Sequence, residues 1–459
     1  MGPDYERPES IVAPVTWRDS LQAAQDSSFA NLPWWELFGD TTLNTLVREG
    51  LTRSQDVRVA LARVNEARAR AGIARLEQLP QIGIDATGGE RQVSDSLTGL
   101  NQGQYGFFRA GVTVSWELDL WGRLRRLSES AQAELLATEY GRRAVIVTLV
   151  SDVAVAYLEL RALDTQLAIA ARTVETHQQS VELADLRFTG GVTSELDVRQ
   201  GEAELARAES QLARLQREVV QKENELRVLI GQMPGDVMRG DPLEVMDFPA
   251  TVPPGLPASL LERRPDVREA EERLRSANAR IGAAIAARFP TISLNGAGAS
   301  ISEEVGDLFQ SGTGFWNFAV NLFQPILDSG RNRQQVEIER ARTEAAVAQY
   351  EVAVLAAFRE VEDALVGIQQ YQLQLEAANR QAIAARRAVE IAQDRYQGGV
   401  DSYLTLLDAQ RVLFDAELDE SVLLRAQRVS MVQLYKALGG GWDPVTDSLA
   451  LPAPAPQEN

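Results

Sequence analysis

Two stretches of this chain are too long and too uniform to be anything but helix. Between Arg123 and Phe188 there is no proline and a single glycine, Gly141; between Arg331 and Gln397 there is again no proline and a single glycine, Gly367. Both are rich in Ala, Leu, Glu, Gln and Arg, the strong helix formers. At 1.5 Å rise per residue, each would make a helix about 100 Å long. A glycine pair stops each one, Gly190-Gly191 and Gly398-Gly399. Thr193 or Ser194 can cap a second helix after the first stop. Shorter helices are therefore expected over 193–230 and 401–438, folding back as antiparallel partners.

The rest of the chain repeats with them. Leu79-Pro80 is answered by Phe289-Pro290 at an offset of 210, and Val57-Arg58 by Val267-Arg268 and Gly72 by Gly282 at the same offset. Arg187-Phe188-Thr189-Gly190-Gly191-Val192 has its counterpart in Arg395-Tyr396-Gln397-Gly398-Gly399-Val400, 208 residues on. So many matches in order point to a tandem duplication, with a first repeat over 42–245 and a second over 246–440. An extended, proline-broken arm with the Trp34-Trp35 anchor fills 1–41, and a proline-rich tail fills 441–459. Asp40, Thr41 and Thr42 offer caps to one helix running from about Leu43 to Leu76.

Each repeat also carries two strand-like segments, about 79–90 and 107–120 in the first and about 290–301 and 314–325 in the second. In 112–120, Val112, Val114, Trp116, Leu118 and Leu120 alternate with Thr113, Ser115, Glu117 and Asp119. That is period two, with one apolar and one polar face. Aromatic residues crowd these pairs: Tyr105, Phe107, Phe108 and Trp116, then Phe309, Phe315, Trp316, Phe318 and Phe323.

Composition removes most enzymology. The formal charge is 46 − 65 = −19, which leaves no basic footprint for nucleic acid. There is no cysteine, and the one histidine, His177, cannot build an imidazole cluster. Its flanks, Glu175, Thr176, Gln178 and Gln179, place it on a polar helical surface. No phosphate-binding glycine loop, nucleophile elbow or metalloprotease motif is present, and no metal or cofactor is expected. No stretch nears the roughly 18 continuous apolar residues of a membrane-spanning helix. The start, Met1 to Tyr5, lacks the basic head and apolar core of a signal peptide, which leaves a cytoplasmic chain or a mature form.

Four amphipathic strands cannot close a barrel alone, since membrane barrels need at least about eight. Lipid forbids open edges. The strands therefore either form a soluble sheet on a non-conducting coiled-coil scaffold or adaptor, or combine between subunits. Three copies would supply 3 × 4 = 12 strands. The aromatic crowding favours the bilayer, while core packing remains the competing use of the same rings.

Several segments together resemble the outer-membrane factors of bacterial tripartite efflux systems, and most of all the lipoprotein branch serving resistance–nodulation–division pumps. They are Gly2-Pro3-Asp4-Tyr5-Glu6-Arg7-Pro8, Trp34-Trp35 with Phe38-Gly39-Asp40, Leu118-Asp119-Leu120-Trp121-Gly122-Arg123, Arg264-Pro265-Asp266-Val267, and Arg395 through Val400 to Gln410. The resemblance spans essentially the whole chain. It implies a mainly α protein with membrane β: a homotrimer whose 12-stranded β-barrel, four strands per chain, continues into a long periplasmic barrel of 12 helices. It implies passive conduction of drugs or other small solutes, received from a periplasmic adaptor and an inner-membrane pump and released outside. Members of the branch carry an acylated cysteine ahead of the Gly-Pro-Asp-Tyr motif, where this chain has Met1.

The resemblance also implies a constriction at the far end of the helices, at the two glycine turns. The second repeat offers Asp401, Tyr403, Asp408 and Arg411, and the first offers Glu195, Asp197 and Arg199. By the family pattern Tyr403, Leu404 and Asp408 line the pore, with Arg395 and Tyr396 making inter-helix bonds nearby. Threefold symmetry would set like charges from Asp408 face to face, favouring cations.

Overall fold

A computed structural model of the chain describes residues 1–8, 17, 39–91, 105–246, 248 and 257–440. Trp34-Trp35, most of the N-terminal arm and the proline-rich tail lie outside the described residues. In chain order the elements are α1 (Thr41–Arg53), α2 (Gln55–Leu76), β1 (Gln81–Arg91), β2 (Tyr105–Leu118), α3 (Arg123–Thr189) and α4 (Glu195–Leu229). They are followed by α5 (Leu260–Arg263), α6 (Pro265–Ala286), β3 (Thr291–Ser302), β4 (Gly314–Phe323), α7 (Arg331–Gln397) and α8 (Tyr403–Ala437). The long helices α3 and α7 have 67 residues each, and α4 and α8 have 35 each. No helix among the described residues is long and apolar enough to cross a membrane.

The chain divides into two compact units. The first comprises Met1–Ile11, Ala62–Tyr140 and Glu269–Val352. It holds one antiparallel sheet in the order β1-β2-β3-β4, so β1 and β4 are edges. Directly paired residues share a face, and the register therefore sorts the side chains. Ile82 pairs with Val114 and Ile84 with Val112. Trp116 pairs with Leu294 and Leu118 with Ile292. Gly298 pairs with Trp316, Gly296 with Phe318, Leu294 with Val320 and Ile292 with Leu322. All of these belong to one continuous apolar face. The opposite face carries Asp85, Arg109, Thr113, Ser115, Glu117, Asn295, Asn317 and Asn321, with Arg109 3.5 Å from Asp85.

The glycines of β1 have a packing reason. Gly88 and Gly89 pair with Phe108 and Phe107. A Cβ on Gly88 would lie 2.9 Å from the Phe108 ring and one on Gly89 3.1 Å from the Phe107 ring. The bare backbone is the seat for both rings.

At the helix side of the sheet, one aspartate starts each long helix. Asp119 accepts the N–H groups of Leu124 (3.0 Å) and Arg125 (2.8 Å). Asp328 accepts those of Gly330 (2.9 Å) and Asn332 (3.1 Å), which holds its carboxyl below the usual range. These bonds satisfy donors that a helix start leaves unpaired. Between them, the Trp121 indole donates to Pro290 O at 2.7 Å and stacks on Phe289 with centroids 5.0 Å apart.

The N-terminal residues are strapped onto α6. Gly2 has φ +92, and a Cβ there would come within 2.4 Å of the Gly282 Cα. Only two glycines meeting allow that approach. Tyr5 donates to the buried Glu271 carboxylate at 3.2 Å, and Arg7 grips the same carboxylate with two 3.0 Å bonds. Met1 N donates to Trp121 O at 3.2 Å.

The second unit comprises Val12–Leu61, Gly141–Arg268 and Ala353–Asn459. Its core is built on Tyr157, Leu158, Leu160, Leu226, Ile230 and Tyr435, all under 2% exposed or nearly so. Asp40 caps α1 through the N–H groups of Thr42 (2.6 Å) and Leu43 (3.1 Å), and the Tyr157 hydroxyl donates to it at 3.1 Å. The same hydroxyl accepts the Gly240 N–H at 2.8 Å.

Two expectations are corrected here. The helix expected from Leu43 to Leu76 is broken: Ser54 turns extended (ψ 132), ends α1 and donates its N–H to Gly50 O at 2.8 Å. The Arg264 break before α6 is its counterpart, with ψ 121 forced by Pro265. Gln55 stands at the matching place, so the first break carries no proline to announce it. Gly231 and Gly439 pack against the two breaks, where a Cβ would lie 2.4 Å from Arg53 O and 3.0 Å from Arg263 O. The second correction is His177, expected at the surface and found only 5% exposed. It lies seven residues from Ala170 and from Ala184, both fully buried, so its ring faces inward.

Candidate functional site

The two glycine turns are built alike. After α3, Gly190 N–H bonds Leu186 O (3.1 Å) and Val192 N–H bonds Arg187 O (2.8 Å), with Gly191 at φ +72. After α7, Gly398 N–H bonds Asp394 O (2.9 Å) and Val400 N–H bonds Arg395 O (2.9 Å), with Gly399 at φ +72. These are glycine helix stops whose bonds satisfy the last carbonyls and reverse the chain.

Beneath the turns lies a small core of Ala184, Val198, Ala392, Tyr396, Tyr403, Leu406 and Leu407. Tyr396 and Tyr403 meet with ring centroids 5.2 Å apart. From α3, the Arg187 guanidinium covers the Tyr396 ring at 4.6 Å and donates to Tyr396 O at 2.7 Å. Burial pushes both phenols up, Tyr403 the further. Gly201 on α4 makes room for Tyr403, since a Cβ there would stand 2.6 Å from the phenolic oxygen.

The residues expected to line a pore are thereby divided. Tyr403 is 1% exposed and belongs to the inner core, whereas Leu404 is 55% exposed. Tyr403, Leu406, Leu407 and Gln410 form the buried stripe of α8. Leu404, Asp408 and Arg411 follow one another at i, i+4 and i+7, on a different face. Asp408 is exposed and Arg411 half-buried. Tyr396 serves the inter-helix contact, but through its ring and carbonyl.

Arg395 closes its own turn, with its guanidinium 2.6 and 3.0 Å from the two Asp401 oxygens. That pairing lowers the Asp401 carboxyl and raises Arg395. In the first half, Asp197 accepts the hydroxyls of Thr193 and Ser194 and fastens the start of α4. Arg199 lies between Glu195 (3.1 Å) and Glu202 (2.8 Å) on an exposed surface. Across helices, Arg411 of α8 pairs with Glu204 of α4, and that bond is the main force holding the Glu204 carboxyl low. Gly201 and Glu204 went unread in the sequence, and Arg187 was read only as part of the repeat, without a role at the site. Arg187 was visible as the counterpart of Arg395, and Gly201 as a glycine inside a good helix.

Sheet, hairpins and turns define a class of protein: one whose strands present an apolar face and two open edges, and whose long helices are paired with shorter ones through glycine turns. Known proteins of this kind match the chain. The outer membrane efflux protein family matches residues 46–232 and again 256–440, and the chain belongs to that family. The solvent efflux pump outer membrane protein SrpC of Pseudomonas putida is 37% identical over 446 residues, covering 96% of this chain and 95% of the relative. The cation efflux system protein CusC of Escherichia coli O6:H1 is 35% identical over 451 residues, covering 96% of this chain and 95% of the relative. The crystal structure of the open state of the Neisseria gonorrhoeae MtrE outer membrane channel superposes with a TM-score of 0.87 at 33% identity. It covers 96% of this chain and 98% of that one. The chain is a passive outer-membrane exit duct for efflux, not an enzyme.

Proposed function

We propose that three copies of the chain close one 12-stranded barrel in the outer membrane and one 12-helix barrel in the periplasm. The observation that carries this reading is the sheet: β1 and β4 are open edges beside an apolar face. A lipid environment tolerates such a sheet only if other chains complete it. The same apolar face argues against the soluble scaffold, which would have to leave it in water. The matched helix lengths, the paired glycine turns and the two family matches support a tandem duplication over 42–245 and 246–440, between arms 1–41 and 441–459.

In this reading the duct receives solutes from a periplasmic adaptor and a resistance–nodulation–division pump. Exposed Leu186, Val192, Leu196 and Val400 around the glycine turns suit the docking of an apolar adaptor tip. Solutes take their selection from the pump, and drugs, solvents and metal cations are all within reach. The Gly2-to-Pro8 segment supports the lipoprotein branch, whose acylated cysteine would stand where this chain has Met1. That position lies beside Trp121, between β2 and α3. Leu404, Asp408 and Arg411 form the periplasmic constriction.

Two experiments test this. The detergent-corrected mass should be 3 × 50.4 = 151.2 kDa, and a detergent-free monodisperse species of another mass would exclude the shared barrel. Asp408→Asn should change the cation preference and raise the conductance of the isolated channel in a planar bilayer; unaltered conductance and selectivity would remove Asp408 from the constriction.

A further inference from the structure

His177 has a role that neither the fold nor the conduction path uses. It is 5% exposed on α3, and its Nδ1 has no hydrogen-bond partner. The ring borders a cavity of about 150 Å³, to which α4 brings Glu204 and Arg207 and α8 brings Arg411, Phe414 and Asp415. Two carboxylates and two guanidiniums thus line the cavity with the imidazole, and their formal charges balance while it is neutral; of these, Glu204 and Arg411 act on the ring. Glu204 is committed to Arg411, with Arg207 more distant at 3.9 Å. This bond ties α4 to α8. A proton on His177 would unbalance the set, drawing the Glu204 carboxylate toward α3 while repelling Arg411. Arg411 would then have Asp408 and Asp415 of its own helix to turn to.

We propose that His177 is a proton-operated latch on the α4–α8 ion pair: neutral, it leaves Glu204 to Arg411; protonated, it takes Glu204 and frees α8. The proton comes from bulk water and binds Nδ1, the ring nitrogen left without a partner. Desolvation opposes this proton, as does Arg411, while Glu204 favours it, so the latch works below the ordinary imidazole range. The effect on flow rests on the constriction proposed above, because Arg411 stands three residues from Asp408.

The test is simple because the chain has one histidine. A tag-free full-length sample in detergent gives one imidazole resonance to titrate by NMR. We expect a single midpoint below pH 6.5, and Glu204→Gln should weaken proton binding about tenfold further. In planar bilayers, conductance should rise as the pH falls from 7.5 to 5, and His177→Gln should abolish that rise. A midpoint unmoved by Glu204→Gln, or a rise that survives His177→Gln, overturns the latch. Asp408→Asn at pH 7.5 keeps the two readings apart. If it leaves conduction unaltered while the midpoint still depends on Glu204, the constriction assignment falls and the latch on the ion pair stands.

Discussion

Neighbouring positions in β4 should respond to the same substitution in opposite ways. Phe318 is the fifth of ten residues in the strand and is 64% exposed on the apolar face, opposite Gly296. Asn317 precedes it and points to the polar face, opposite Ala297. An arginine at 318 would enter hydrocarbon near the middle of the band, at a cost of about 2–4 kcal/mol. That is roughly 30- to 700-fold in equilibrium, at 1.4 kcal/mol per tenfold. In the proposed three-chain ring the cost per barrel would be about 6–12 kcal/mol. An arginine at 317 would lie diagonal to Asn295 on the polar face, in a wet interior, and should cost less than about 1 kcal/mol. Urea unfolding in phospholipid vesicles, followed by tryptophan fluorescence and by resistance of the oligomer to SDS, measures both variants. Equal losses, or a larger loss for Asn317→Arg, would refute the assignment of faces and with it the membrane reading of the sheet.

Other outcomes follow from the two units. Tyr157→Phe removes the bonds to Asp40 and the Gly240 N–H at once, and should lower stability by about 1–3 kcal/mol in denaturant melts. Burial pushes the Tyr157 phenol up to about 12. The neutral form is therefore the favoured one in the folded chain: its stabilisation is complete below pH 10 and lost as the pH rises through 12. Tyr157→Phe should flatten part of this alkaline loss, with Tyr5, also near 12, supplying another part. Gly2→Ala places a Cβ against the Gly282 backbone at a left-handed φ, and should release residues 2–7 from α6. Hydrogen exchange of those amides should quicken at least tenfold, and unchanged protection would show that the Gly–Gly contact does not hold the strap.

Much of the fold was legible because its signals are local. Helices α3 and α7 announce themselves by lacking breakers, and β2 by a strict alternation ending at Trp116 and Leu118. What escaped was whatever depended on phase or on a distant partner. His177 was read from its neighbours in sequence, whereas a helix buries by face; Ala170 and Ala184, seven residues either side, held the correct signal. Tyr403 was grouped with Leu404 and Asp408 by the family pattern, though the stripe through Leu406, Leu407 and Gln410 puts it inside. The break at Ser54 had no proline of its own. It could be found only by carrying Pro265 back across the repeat. Glu204 was one carboxylate among 65 acidic residues, and nothing local marks it as the partner of an arginine 207 positions away.

The open edges of β1 and β4 also bear on inheritance. In the three-chain ring proposed above, each chain would lend one edge to a neighbour and borrow another, so the ring would be only as sound as its worst member. Where sound and edge-defective chains are made in equal amounts and mix freely, about one three-chain ring in eight contains no defective copy. A damaged allele of this kind would act dominantly, suppressing most of the output of the intact gene beside it.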